Sequence, residues 1–285
     1  MTANIRPIRL CLGLAGLGLI ASSLQAQVFV YQSRDLVLNF SRAGSSDLEV
    51  DLGPVDYFQN LAGSSTVSLT DKYSVSQQLL PTFGNLNSLS FSVLGTQRGT
   101  GADPANTSWA TLKRTDVSEE TTAPGRYTIS KTGQIQSAIS GLYGSGGASS
   151  GANIYAPGAD YPPSSSTALI IPTTGLAAAN SYSVKYAATG GVKSLLTSPG
   201  AENTTPSDFA STVGAFLRSD LYEYQPGSAG SPAAYLGYFT FSNDGSASFT
   251  PVPEPGEYVA IFATALAGLA VWCQTRKATG QPRNR

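Results

Sequence analysis

The sequence predicts a mainly β protein: an antiparallel, jelly-roll-like β-sandwich with one or two short helices, followed by a transmembrane helix at the C-terminus. Three observations support this fold class. Apolar and polar residues alternate with a period of two over several short segments, as in strands with one buried face. The 30 glycines and 17 prolines punctuate the chain between such segments, which favours short antiparallel strands joined by turns. Near the C-terminus, 18 consecutive residues carry no charge, a length close to that of a membrane-spanning helix.

Three strands are predicted from this alternation, and further strands are expected later in the chain. In the first three segments every second residue is a leucine, valine or phenylalanine. The last two segments flank Asn243-Asp244-Gly245, a strong hairpin signal. The predicted strands are 35–40, 47–52, 88–93, 126–131, 168–172, 181–187, 235–242 and 246–250.

Helices are expected to be few. The best candidate is 206–220, because Thr205 can cap it, Pro206 suits its first turn, and Asp208 completes a pattern like a capping box. Its apolar residues then share one face. Weaker helices are predicted at 75–80, ended by Pro81, and at 134–143, and surface loops at 95–106 and 141–166.

The composition excludes several kinds of site. The chain has no histidine, so Ser-His-Asp and Cys-His catalysis and His-ligated metals are excluded. Its two cysteines, Cys11 and Cys273, lie near the ends. Residues 27–253 carry 11 lysines and arginines against 16 aspartates and glutamates, a net charge of about −5. A body this acidic argues against nucleic acid as a partner, and no cofactor is predicted.

The N-terminus has the three parts of a secretory signal peptide. Arg6 and Arg9 make a positive start, and 10–21 is an apolar run of 12 residues, too short to span a bilayer. A polar segment then leads to the predicted cleavage between Ala26 and Gln27. The chain therefore divides into a signal peptide at 1–26, an exported β-rich domain at 27–250 and a C-terminal segment at 251–285.

The C-terminal segment combines a rigid motif, an apolar run and a basic tail. Val252-Pro253-Glu254-Pro255 comes first, and its prolines keep the chain extended and accessible. The uncharged run 258–275 would span about 27 Å as a helix, enough for a thin membrane. The tail carries four cations, which stay cytoplasmic and place the body on the other side of the membrane: Arg276, Lys277, Arg283 and Arg285.

This order of motif, helix and basic tail resembles the PEP-CTERM sorting signal of exopolysaccharide-producing Gram-negative bacteria. The resemblance is confined to about 252–285. It implies that an exosortase, a membrane-embedded transpeptidase-like protease, recognises Pro253, Glu254 and Pro255 and removes the helix and tail. The mature protein would then be released or attached at the cell surface. The basic cluster of this chain is thinner than the family pattern.

Three features of the body could carry binding or catalysis. Asp47, Glu49 and Asp51 alternate on one strand and could form a calcium ligand set, although a solvated sheet face explains them better. Glu119-Glu120, with scattered aspartates, could supply a glycosidase acid/base pair. Several aromatics could stack on sugar rings, although packing within the core accounts for most of them: Tyr155, Tyr161, Tyr222, Tyr224, Tyr235, Tyr238, Phe239 and Phe241.

Three functions follow from the sequence. The preferred one is a non-catalytic surface or extracellular-matrix protein, exported and sorted through the Pro-Glu-Pro signal. The alternative is a carbohydrate-binding module for the exopolysaccharide. The third is a polysaccharide hydrolase or lyase that works without histidine. The expected partners are an exosortase, the membrane before processing and, in the second hypothesis, exopolysaccharide.

Overall fold

A computed structural model describes 30–61, 65–97, 101, 103–143, 153–154, 168–174, 181–197, 200–227 and 231–252. The predicted signal peptide and the predicted transmembrane helix lie outside these residues. Among the helices of the described segments, none combines the length and the apolarity needed to cross a bilayer.

The described body is mainly antiparallel β-structure with a few mostly short helices. The strands are β1 (Val30–Tyr31), β2 (Asp35–Ser41), β3 (Asp47–Pro54), β4 (Val67–Ser68), β5 (Ser90–Thr96), β6 (Ser108–Lys113), β7 (Asn153–Ile154), β8 (Ala168–Ile171), β9 (Asn203–Thr204), β10 (Phe216–Tyr224), β11 (Ala234–Ser242) and β12 (Ala247–Pro251). The helices are α1 (Val55–Gln59), α2 (Leu80–Phe83), α3 (Ile129–Leu142), α4 (Tyr182–Ala187) and α5 (Val192–Leu195), with a π-helical turn at Val75–Leu79 and a 3₁₀ turn at Phe209–Ser211.

Ten strands join in one sheet, in the order β4-β12-β11-β10-β6-β5-β2-β3-β8, with β9 paired to β5. Strands β1 and β7 form a separate pair. The predicted hairpin at Asn243-Asp244-Gly245 is confirmed, since it connects β11 to β12. Gly245 has a φ of +86°, the left-handed conformation that such turns require.

The sheet curls so that strands far apart in its order face each other. The rings of Phe40 on β2 and Phe241 on β11 lie 5.1 Å apart, and those of Phe91 and Phe241 5.4 Å apart. At one end of the sheet, the ring of Phe58 on α1 packs against the ring of Phe249, with the ring centres 5.1 Å apart. The concave side of this half-barrel therefore holds one apolar core made by both halves of the sheet.

A second apolar core lies on the convex side, beneath the helices. Val37, Leu94 and Leu112 project to this side from β2, β5 and β6. Helix α3 covers them with Ile135 and Ile139, and α4 and α5 add further apolar side chains. Thr128 begins α3 by accepting a hydrogen bond from the Lys131 amide, the usual role of a helix N-cap.

The predicted division of the body into two packed sheets is not observed among the described strands. Strand β6 pairs with β5 on one side and with β10 on the other, which joins the two halves into one curved sheet. The two halves still oppose each other across a core, as sandwich layers do, but they do so by curvature.

Three of the predicted elements are wrong, and two others need adjusted boundaries. Segment 181–187 is helix α4 instead of a strand, and 126–131 is the entry to α3. The predicted helix 206–220 is a 3₁₀ turn followed by β10. The helix predicted at 75–80 is present, but Pro81 lies inside α2 and does not end it. The helix predicted at 134–143 is α3, which begins at Ile129.

Candidate functional site

The predicted sorting signal lies outside the described residues. This applies to Pro253, Glu254 and Pro255, to the basic tail of Arg276, Lys277, Arg283 and Arg285, and to the predicted cleavage position at Ala26 and Gln27. The described part of the body extends to Val252. Pro251 still pairs with Gly237 in the sheet, and the Val252 amide donates to the carbonyl of Leu236 at 3.3 Å.

The acidic face of β3 is buried, not solvated. Asp47 and Glu49 each have 0% of their surface exposed, and Asp51 is half-buried and accepts a hydrogen bond from the Gly53 amide at 2.8 Å. The interpretation of this strand as a solvated sheet face is therefore wrong. The described residues also hold no group of three or more Asp, Glu, Cys or His side chains placed to bind a metal ion.

Asp47 caps helix α4 from a neighbouring strand. Its Oδ2 atom accepts hydrogen bonds from the Ser183 amide at 2.7 Å, from the Ser183 hydroxyl at 2.9 Å, and from the Ser181 hydroxyl. These bonds satisfy donors at the start of a helix that has no cap from its own N-cap side chain. Burial raises the pKa of Asp47, and the serine hydrogen bonds oppose that shift.

Glu49 has no hydrogen-bond partner for either carboxylate oxygen among the described residues. Burial, followed by the negative charge of Asp47, raises its pKa well above the usual range, while the positive charge of Lys185 acts in the opposite direction. An unpaired carboxylate in this position would be costly. The neutral, protonated form is therefore favoured.

A third carboxyl group, Glu202, lies in the same region and completes what we call the α4 acidic cluster: Asp47, Glu49 and Glu202. The Tyr182 hydroxyl of α4 donates to Glu202 at 3.0 Å, and the Ser41 hydroxyl lies at 3.4 Å. Burial raises the pKa of Glu202, and Asp47 adds to this effect. Helix α4 is thus attached to the sheet by these carboxyl groups as well as by the buried rings of Tyr182 and Tyr186.

A second polar network, elsewhere on the convex face, centres on Asp220 of β10. Asp220 is fully buried and forms an ion pair with Arg114 at 2.7 Å. It also accepts hydrogen bonds from the Thr121 amide at 2.7 Å, the Thr121 hydroxyl and the Tyr235 hydroxyl at 3.2 Å. Every oxygen of Asp220 is therefore engaged within the protein.

The structure brings one member of the predicted carboxylate pair close to this network. Burial and the charge of Asp220 raise the pKa of Glu120, whose Oε1 lies 3.5 Å from the Tyr222 hydroxyl. Glu119 is exposed in the preceding turn. The nearest carboxyl partner of Glu120 is thus a saturated, inaccessible group, and this geometry does not place two free carboxyl groups across a groove.

Most of the aromatic cluster packs inside the protein. Tyr222, Tyr224, Phe239 and Phe241 are each at most 2% exposed, so they cannot stack on a ligand. Tyr155 and Tyr161 lie outside the described residues. Tyr235 and Tyr238 are half-buried, and Tyr235 is committed to Asp220 and Arg114.

Tyr238 belongs to a partly exposed strip of the convex face, formed by β10, β11 and β12. The guanidinium carbons of Arg114 and Arg218 lie 4.5 and 4.8 Å from the centre of its ring. Register pairs place hydroxyl side chains beside it on the same face. We call this strip the Tyr238 face: Phe216, Arg218, Tyr238, Thr240, Ser248 and Thr250.

A shallow groove beside α3 is lined by uncharged polar groups. Asn106 faces α3 across the groove near Gly133, which contributes no side chain. The remaining lining is mainly serine and glutamine. It comprises Ser130, Gln134, Gln136, Ser137, Ala138 and Gly190.

Sequence reasoning missed the features that organise these sites. Nothing in the sequence identified α4, so the capping role of Asp47 and the pairing of Tyr182 with Glu202 could not be predicted. Strand β6, which carries Trp109, and strand β10, which carries Asp220, were also missed. The alternation of Asp47, Glu49 and Asp51 correctly indicated that they share a face.

Comparison of the chain with known protein families, curated sequences and solved structures finds no match.

Proposed function

We propose that this protein is an exported, non-catalytic surface or extracellular-matrix protein that an exosortase sorts and processes through its C-terminal signal. One observation carries the proposal: the order of Pro253-Glu254-Pro255, the uncharged run 258–275 and a basic tail. This order fits a cleavage motif, a transmembrane helix and a cytoplasmic stop. The signal peptide at 1–26 supports the same route, since an exported chain needs one.

Two features of the described body support a non-catalytic role. Asp47 and Asp220 accept several hydrogen bonds each and hold helices and loops to the sheet. Glu49 is enclosed and has no access to solvent. These carboxyl groups serve the fold, and a hydrolase would need two that reach a substrate.

The sorting proposal is tested by substituting Pro253 and Glu254 together with alanine in the native host. The expected result is a longer form of the protein that stays in the membrane fraction, seen by intact mass and fractionation. Pro206→Ala, which changes an exposed proline of the body, is the matched control and should process normally. Unchanged mass and location in the double variant would count against the proposal.

A carbohydrate-binding role is the second candidate, and the Tyr238 face favours it. A half-exposed tyrosine flanked by arginine and by neutral hydroxyls on the convex strand face has the groups that recognise sugars. Affinity chromatography of the processed protein on extracted exopolysaccharide tests this role. Tyr238→Ala should lose retention and Tyr57→Ala, at a tyrosine that is 48% exposed elsewhere, should keep it. Absence of retention in the unaltered protein would remove this candidate.

A further inference from the structure

We propose that helix α4 is a proton-gated flap, which stays docked on β3 while Glu49 is protonated and is released when Glu49 loses its proton. The proposal is independent of the sorting function, because it concerns only the folded body. It rests on the geometry of the α4 acidic cluster, on the enclosure of Glu49 and on the lack, among the described residues, of any hydrogen-bond partner for its carboxyl oxygens.

Polar contacts from α4 and from Ser181, which precedes it, hold the helix on the sheet. Asp47 accepts hydrogen bonds from Ser181 and Ser183 at the start of the helix. One residue along, the Tyr182 hydroxyl reaches both Glu202, at 3.0 Å, and Ser92 on β5, at 2.7 Å. The helix is six residues long, too short to be stable without such contacts.

Glu49 lies beneath this helix and is the group whose ionisation we expect to release it. It lies two residues from Asp47 on the same face of β3 and opposite Asn39 of β2. Its two oxygens, the Oδ1 atom of Asp47 and the Oδ1 atom of Asn39 all lack a hydrogen-bond donor among the described residues. When Glu49 carries a proton, it can donate one hydrogen bond in a region that otherwise offers mainly acceptors.

The groups that face Glu49 supply too little positive charge to neutralise both Asp47 and an ionised Glu49. On its own strand Asp47 is negative, and from α4 Lys185 is positive. Strand β8 offers only alanine, leucine and isoleucine, and β2 offers the neutral Asn39.

The wider surroundings add negative charge and neutral hydroxyls. The hydroxyl of Tyr143, at the end of α3, accepts a hydrogen bond from the side-chain amide of Asn39. Tyr186 of α4 faces Glu202. Lys193 of α5 is directed at Glu202. Lys185 is thus the positive charge that acts on Glu49, and ionisation of Glu49 beside Asp47 leaves a net negative charge in a buried space.

Release of the helix relieves this charge by exposing it to water. The proton of Glu49 passes to solvent, and the carboxylate is hydrated once α4 has moved away. Because the docked state binds this proton more tightly than the open state, docking is strongest at low pH. It weakens as pH rises from the ordinary glutamate pKa towards the raised pKa of the docked state.

Hydrogen exchange of the full-length protein between pH 5 and pH 9, in the presence of EDTA, tests the flap. Protection factors corrected for intrinsic exchange are read at the amides of Ser183 and Lys185, which donate to Asp47 and to the Ser181 carbonyl. Between the ordinary glutamate pKa and the raised pKa of docked Glu49, protection should fall about tenfold per pH unit, as expected for loss of one proton, and it should level off above that raised pKa. Amides of β10 serve as an internal reference and should keep their higher protection.

Two variants complete the test. Glu49→Gln should abolish the pH-dependent fall at α4, and Glu119→Gln, at an exposed glutamate, should retain it. If Glu49→Gln does not fold, the ¹³C shift of the Glu49 carboxyl in the unaltered protein must titrate at the pH where α4 protection levels off. The proposal is overturned by a fall that persists in Glu49→Gln, by a carboxyl titration at a different pH, by a parallel fall in β10, or by pH-independent protection.

Discussion

Asp35, at the start of β2, is a carboxyl group whose burial has a measurable consequence. It is 7% exposed, and its Oδ2 atom accepts a hydrogen bond from the Gln32 amide at 2.7 Å. Burial, with a contribution from the charge of Asp51, raises its pKa to about 6. The folded protein therefore binds this proton more tightly than the unfolded chain does, and the stabilisation from protonation is fully present only at low pH.

Because protonation of Asp35 stabilises the fold, the free energy of unfolding should decrease as this group ionises. As pH rises from about 4 to about 6, ionisation of Asp35 should remove about 3 kcal/mol from the free energy of unfolding, given 1.36 kcal/mol per pKa unit. Asp35→Asn should lack this contribution, so it should gain stability over the unaltered protein at pH 7 and differ little at pH 4. Urea unfolding at both pH values measures the difference, with exposed Asp71→Asn as the control. Equal differences at the two pH values would contradict the assignment.

The second prediction concerns the buried ion pair of Asp220 and Arg114. Only 5% of the Arg114 side chain is exposed, so Asp220→Ala would leave a buried, unpaired guanidinium. Loss of one partner of a buried pair costs about 3–5 kcal/mol. Denaturant unfolding should show this loss, while Asp208→Ala, at an exposed aspartate, should change stability by less than about 0.5 kcal/mol. A loss below about 1 kcal/mol in Asp220→Ala would show that solvent reaches Arg114.

Among the elements, the β10–β11 pair contains a bulge that requires glycine. The register shifts between Leu221 and Tyr222, and Gly237 lies at this point with a φ of +139°. A Cβ atom on Gly237 would collide with the Thr250 carbonyl and come within 2.8 Å of the Pro251 Cα atom. The close approach of β12 therefore depends on the missing side chain.

Gly237→Ala should accordingly destabilise the protein by about 3 kcal/mol or more, as the sum of overpacking and backbone strain. Gly53→Ala is the matched control, because Gly53 also has a positive φ, +89°, but has open space around it. Its cost should be limited to about 1–2 kcal/mol of strain. Thermal unfolding of both variants measures the difference between their losses of stability. Equal losses would mean that β12 can shift to make room for the added methyl group.

The wrongly predicted elements show where tertiary contacts override the local sequence pattern. In 181–187 the alternation of tyrosine and valine with serine and lysine resembles a strand. Yet Tyr182 and Tyr186 are also four residues apart, which places both against the sheet in a helix while Val184 stays 46% exposed. Capping by Asp47, 134 residues away from Ser181, decides between the two, and no local pattern carries that information.

The predicted helix 206–220 fails for a similar reason. The hydroxyl of Thr205 accepts from the Leu89 amide and donates to the Leu86 carbonyl, so it cannot cap a helix. Gly214 has a φ of +67°, and Val213 is 99% exposed. The chain then enters β10, which pairs with β6 and β11. By contrast, strands β2, β3 and β5 were predicted because each has a regular alternation that one buried face explains, and β11 and β12 because they flank a turn sequence.

At the scale of the whole molecule, the curvature of the sheet packs distant strands against one core, so we expect them to unfold together. Phe241 contacts the rings of Phe40 and Phe91 from the other half of the sheet and lies 6.0 Å from the ring of Phe209. No sequence pattern predicted this, because alternation reports which face is buried and not which strands face each other.

Phe241→Ala should therefore destabilise the entire body by about 3–5 kcal/mol, in a single unfolding transition. Tryptophan fluorescence, which reports Trp109 on β6 among the described residues, and far-ultraviolet circular dichroism should give the same midpoint. Val213→Ala, at the fully exposed valine, should leave the midpoint unchanged. Separate midpoints for the two signals would show that the halves of the sheet unfold independently.

Strand β12 ends at Pro251, and β4 pairs with it at Ser248 and Phe249. If 258–275 enters the bilayer, the six residues from 253 to 258 can reach no more than about 20 Å. Before cleavage, the end of β12 would then lie within about 20 Å of the hydrocarbon core, close to the lipid headgroups. A membrane-embedded protease would therefore find its motif and the folded body together beside the bilayer.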